Sequence, residues 1–260
     1  MAIGAAWASV VFALLCSCPR GVLAQASDDE AVLERPATEA ASREGAFLPL
    51  TLGSRLPGRA WAFGWGGYDS AAARPVAEAG AEVRLWRGLS VRGGAAYTGA
   101  SDRLRPTVGL RYQALRQEAH GLDAGVAIFY RPEGLTEPEG EIEGLVFAGK
   151  SFGNTALFGN LVYGQDPDGH EHDAEVRAAV MHQVRRFGFG ADTRLRRAIG
   201  ARSSAPISIA SPRYDIQAGP VATLSFDSLL LFCQVGPALV RLPAESRLGV
   251  VAMTGMGAAF

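Results

Sequence analysis

Apolar and polar residues alternate with a period of two from about residue 59 to the end of the chain. Between Val76 and Trp86, Ala77, Ala79, Ala81, Val83 and Leu85 share one parity, and Glu78, Glu82 and Arg84 share the other. Successive side chains of a strand point to opposite faces, so the segment reads as a strand with one apolar and one charged side. The same split recurs where Leu104, Val108, Leu110 and Tyr112 oppose Arg103, Arg105, Thr107, Arg111 and Gln113. It recurs where Val176, Val180 and Val184 oppose Asp173, Glu175, Arg177 and Gln183. Twelve such segments follow one another: 59–68, 76–86, 90–97, 103–115, 122–131, 139–151, 155–164, 173–184, 187–196, 213–226, 229–242 and 247–260. An even set of amphipathic strands fits an antiparallel up-and-down barrel. Pairing of Phe47 to Gly53 as an additional strand, or loss of the Gly-rich first one, bounds the count at ten to fourteen.

The joins between segments sort into two kinds. Arg87-Gly88-Leu89, Phe152-Gly153-Asn154, Arg185-Arg186 and Asp227-Ser228 are tight, whereas the alternate joins at 69–75, 98–102, 132–138, 165–172 and 197–212 are polar and mostly longer. A soluble sandwich has no reason for such an asymmetry, but a barrel crossing a membrane does. Aromatic residues gather at both ends of the segments. Tyr68, Tyr97, Tyr130, Tyr163 and Tyr214 stand at the loop ends, and Trp61, Trp86, Tyr112, Phe152, Phe187, Phe226 and Phe260 at the turn ends. Two girdles around an apolar band place amphipathic rings at two membrane interfaces.

The start of the chain follows another rule. Residues 1–18 are apolar apart from serines, and Val22-Leu23-Ala24-Gln25-Ala26 carries the small-x-small pattern of a leader cleavage site. We read residues 1–26 as an export signal peptide; a membrane anchor, or a lipoprotein acylated at Cys18, are the alternatives. Cleavage would remove Cys16 and Cys18 and leave Cys233 as the one thiol, so no disulfide framework supports the exported fold. Residues 27–50 form a flexible acidic segment (Asp28, Asp29, Glu30, Glu34, Glu39, Glu44), and residues 51–260 the barrel. The formal charge of −1 provides no basic surplus for nucleic acid.

This combination resembles bacterial outer-membrane β-barrel proteins over roughly residues 50–260, without pointing to one family. The implied fold is all-β, a transmembrane antiparallel barrel of about twelve strands. The terminal run Met253-Thr254-Gly255-Met256-Gly257-Ala258-Ala259-Phe260 resembles the signal read by the barrel assembly machinery, with Phe260, Ala258, Met256, Thr254 and Ala252 outward. Expected partners are therefore outer-membrane lipid, that machinery and a small solute; no cofactor or metal is expected.

If the polar parity faces the lumen, Arg84, Arg92, Arg103, Arg105, Arg111, Arg131, Arg177, Arg194, Arg196 and Arg213 stand against Glu78, Glu82, Asp123, Glu141, Glu143, Asp173, Glu175, Asp192 and Asp215. Two readings stay open: a charge-paired structural interior, and a narrow channel whose arginines guide small polar or anionic solutes. Enzymatic chemistry lacks a motif. Outer-membrane lipid hydrolases carry a His-x-Ser pair, and none of His120, His170, His172 or His182 has Ser two residues on. The cluster Asp166, Asp168, His170, His172 and Asp173 has neither calcium-loop nor zinc-pair spacing and reads as a solvated loop. Two alternatives stay open: a membrane-embedded lipid hydrolase whose residues assemble only in space, and a soluble periplasmic binding barrel, which would need an apolar inner wall.

Overall fold

The computed structural model describes residues 48, 50–53, 55, 58–98, 103–132, 140–165, 171–201, 214–226, 229–242 and 245–260. The leader, the acidic stretch through residue 47 and the loop at 166–170 lie outside them. Twelve strands run in chain order: β1 (Ala60–Asp69), β2 (Arg74–Trp86), β3 (Leu89–Thr98), β4 (Arg103–Leu115), β5 (Asp123–Pro132), β6 (Gly140–Phe152), β7 (Thr155–Gln165), β8 (Glu171–Val184), β9 (Phe187–Ala201), β10 (Tyr214–Ser225), β11 (Leu229–Arg241) and β12 (Ser246–Ala259). Each pairs antiparallel with its neighbours in sequence, and β1 pairs with β12 to close the barrel. Closure leaves no open edge to template aggregation.

The closing seam brings the two ends of the sheet together. Phe260 N donates to Ala60 O at 2.9 Å, and Phe260 O accepts from Arg59 N and Ala60 N at 2.8 and 3.0 Å. The strands reach further than the alternation marks them, most of all β9, which continues through Arg197, Ala198, Ile199 and Gly200 to Ala201. Tight turns fill one end: Arg87–Gly88, Gly153–Asn154 and Arg185–Arg186 each join two strands. Arg185 takes φ 53°, the left-handed conformation that a two-residue turn requires. The join from β4 to β5 departs from the rest by folding a single helical turn, α1 (Gln117–His120), closed by Gly121 at φ 78°.

Large apolar side chains are exposed on one parity and the charges are buried on the other. Leu104, Val108, Leu110, Ile128, Leu161, Val176, Leu195, Leu248 and Val250 face outward, whereas Glu82, Arg111, Asp123, Glu143, Glu175 and Arg177 are buried in the interior. A water-facing exterior would not carry so continuous an apolar surface. Tyr68 and Tyr130 at the loop end, and Trp86, Phe152, Phe187, Phe226 and Phe260 at the turn end, are exposed on this surface. Trp61 is the exception: it points inward and is 3% exposed.

The interior also explains part of the glycine surplus (32 residues). A Cβ on Gly109 would overlap the Phe129 ring, one on Gly125 the Phe147 ring, and one on Gly257 the indole of Trp61. Gly93 has nothing within 4 Å of such an atom, and neither has Gly144. The two kinds should separate in an equilibrium urea titration of the refolded barrel. Gly109→Leu should lower stability by about 1–3 kcal/mol through overpacking, and Gly93→Leu should leave it within about 0.5 kcal/mol. Equal losses would remove the assignment of Gly109 to a packed inner face.

Candidate functional site: the lumen and the segment within it

The lumen has two kinds of wall. Toward the loop end, β6 to β10 carry a network of ion pairs centred on Glu175. Arg177 Nη2 lies 2.6 Å from Glu175 Oε2 and 3.4 Å from Glu143 Oε1. Arg194 Nη2 lies 2.8 Å from Glu175 Oε1, and its Nη1 3.8 Å from Asp215 Oδ2. Arg196 binds Asp173 and reaches Glu175 at 3.8 Å and Glu141 at 4.0 Å. Gly164 provides the floor for this cluster, since any side chain there would overlap the Glu141 carboxylate.

Across the lumen, Arg92 Nη2 lies 2.6 Å from Glu78 Oε1 and its guanidinium 4.2 Å from the centroid of Phe63. Arg111 Nη1 lies 3.7 Å from Glu82 Oε1, and Ser90 donates to the same carboxylate. Arg105 is half-buried on the same inward parity, whereas Arg84, on that parity too, is exposed at the turn end of β2. Asp123 and Asp192 are buried, and Asp215 is half-buried. Arg213 and the side chains of Arg103 and Arg131 lie outside the described residues.

The other wall is apolar, built from inward-parity positions that hold rings and aliphatic side chains in place of charges. Trp61, Phe158, Met181, Leu230 and Phe232 form one inward cluster, Ala238, Val240, Val251 and Met253 a second, and Phe129, Leu145, Phe147 and Val162 a third. Three leucines from before β1 lie against them. Leu48 packs in the first cluster, Leu50 in the second and Leu52 on the third. Burial of Leu48 and Leu50 contributes about 1.5–3 kcal/mol each.

Wall side chains hold the backbone of this segment. Leu50 N donates to Asp192 Oδ2 at 3.1 Å, and Thr51 Oγ1 donates to Asp192 Oδ1. Asn160 pairs with Leu52 twice, accepting from its N–H at 2.7 Å and donating to its carbonyl at 3.0 Å. Arg111 Nη2 donates to Gly53 O at 2.7 Å. Arg55 then reaches the turn end, where its Nε lies 2.9 Å from Asp123 Oδ1 and its Nη2 2.7 Å from Glu118 Oε2. Partial burial pushes the Glu118 carboxyl up, but the Arg55 hydrogen bond and charge outweigh it and hold the group below its ordinary value.

Leu48 and Leu50 to Gly53 are thus not part of an extra strand: they belong to the lumen, outside the ladder, and Phe47 lies outside the described residues. Their path starts near Trp61 and Ala259, at the turn end, and returns there at Arg55 and Asp123. A boundary between residues 50 and 51 falls within this docked segment. Of the histidines, His182 lies outward beside Thr155, its Nδ1 2.8 Å from the hydroxyl and its ring 5.2 Å from that of Phe189. His172 stacks on Tyr163, with centroids 6.0 Å apart.

An antiparallel barrel sealed by its first and last strands, apolar outside and charged within, is the architecture of bacterial outer-membrane barrels. No family model and no curated protein matches the sequence. Among solved structures, the chain is similar to the NanC porin, with TM-score 0.54 at 10% sequence identity, covering 76% of this chain and 99% of that one. It is similar also to the KdgM porin, with TM-score 0.54 at 7% identity, covering 77% and 99%. At such identities the likeness shows the fold alone, and the fold points to the outer membrane.

Proposed function

We propose that the protein is a narrow outer-membrane channel for small polar solutes, held shut by its own residues 48–55. The observation that carries this reading is how the segment is attached. Its bonds run to wall side chains, Asp192, Asn160, Arg111 and Asp123, while the β1–β12 seam closes the barrel independently. The segment can therefore leave without a ladder bond being broken. With it gone, a solute would meet arginines on β3 and β4 and a mixed-sign cluster on β6 to β10. Mixed charge favours weak selectivity over a strict anion filter. Phe260 is proposed as the assembly signal, its ring outward at the seam.

Planar-bilayer recording tests the channel. Leu50→Asp would set a carboxylate beside Asp192, so repulsion and lost apolar burial should release the segment. The wild-type protein is expected to be mostly closed, and the variant to conduct with similar permeability for small anions and cations. Heat-modifiable gel mobility verifies that the variant is folded. A folded, silent variant would leave the second reading, a structural barrel, which the ion-paired interior favours.

A further inference from the structure

We infer that the lumen contains a binding site for extended, leucine-bearing peptides, occupied at rest by residues 48–55 and open to a peptide supplied in trans. This site stands apart from the channel proposal, because binding does not require conduction. The wall recognises residues 48–55 through features that any such peptide has. Asn160 offers one residue both an acceptor and a donor, the pair of bonds that a neighbouring strand would offer. Asp192 takes the N–H two residues earlier, and Arg111 the carbonyl one residue later. These bonds read no particular side chain of the peptide; the one from the Thr51 hydroxyl to Asp192 does, and favours a hydroxyl after the middle leucine.

Selectivity comes from the pockets. Side chains two residues apart enter three separate apolar clusters, so leucine at alternate positions is favoured, with a basic residue near Asp123 at the far end. A sugar or small ion would leave these surfaces wet and unmatched. Asn160 is 2% exposed and Asp192 1%. When the segment leaves, both lose partners, and a buried polar group without a partner is costly. A second peptide of the same kind restores them; a polar solute does not restore the leucine contacts. Because Leu48 and Arg55 both lie toward the turn end, that mouth admits the ligand.

The test uses full-length Leu50→Asp protein, folded in detergent, and a fluorescent octapeptide with the sequence Leu-Pro-Leu-Thr-Leu-Gly-Ser-Arg. Saturable binding measured by anisotropy is expected for the variant, with little for the wild type, whose site is filled. Adding Asn160→Ala should weaken binding roughly 10- to 30-fold, from the loss of two hydrogen bonds. A peptide with Asp in place of its central Leu should not compete. Absence of binding to folded Leu50→Asp protein, or binding unaffected by Asn160→Ala, overturns the site. Binding without any conductance change would retain the site and sink the channel.

Discussion

Replacing Arg177 with Met is expected to lower the stability of the folded barrel by roughly 3–5 kcal/mol, the range for stranding the partners of a buried charge. The guanidinium bridges Glu175 and Glu143, and the three side chains are 6%, 3% and 8% exposed. Arginines 177, 194 and 196 share this cluster with the carboxylates of Glu141, Glu143, Asp173, Glu175 and Asp215. Loss of Arg177 takes a cation from between Glu175 and Glu143 at positions that water reaches poorly. Glu175→Gln removes an anion and keeps an acceptor near each guanidinium, so it should cost less although Glu175 has more partners. Equilibrium urea titrations of both variants refolded into detergent measure the order. A loss below about 1 kcal/mol for Arg177→Met, the range of exposed ion pairs, would mean that water fills this part of the lumen.

The strands were legible because the membrane imposes a strict parity. Val176 is outward and Arg177 inward, and no shift by one residue satisfies both lipid and lumen. For that reason the twelve alternating segments coincide with the twelve strands, and the terminal run 252–260 shows its predicted faces. The pattern failed where a residue's polarity does not reveal its side. Trp61 has the composition of a girdle residue, but Leu48 and Ala259 draw it inward. The helical turn at Gln117–His120 is too short to show a period of its own.

The lumenal segment was not legible, and its residues show why. Leu48, Leu50 and Leu52 alternate as a strand would, so the pattern reads as an edge to be paired. The ladder they lack is supplied by side chains, Asn160 and Asp192, from strands 108 and 142 residues away. Nothing local encodes such a partnership. A second signal was available in inward-parity positions that are apolar, notably Phe129, Phe147 and Phe158. In a purely aqueous lumen, clustered rings at those positions would face water. Their presence marks a surface that something apolar covers, and Leu48 and Leu52 cover it.

Val176→Arg is expected to destabilise the barrel in a bilayer by roughly 2–4 kcal/mol, the cost of a guanidinium on the lipid face near the membrane centre. Val176 lies in the middle of β8 and pairs with Leu161 on β7 and Leu195 on β9. All three are exposed and apolar, so an arginine there has no carboxylate at either cross-strand position. The lumenal partners of Arg177 lie on the other side of the sheet. Snorkelling to either interface must span half the hydrocarbon thickness, which is why the cost falls toward strand ends. Val184→Arg, at the turn end of the same strand and on the same parity, should therefore cost only about 0–1 kcal/mol. Urea titrations in lipid vesicles measure both. Their difference should shrink when the variants are refolded in short-chain detergent, which imposes no fixed depth. Equal costs in vesicles would mean that the outer surface of β8 does not meet a bilayer core.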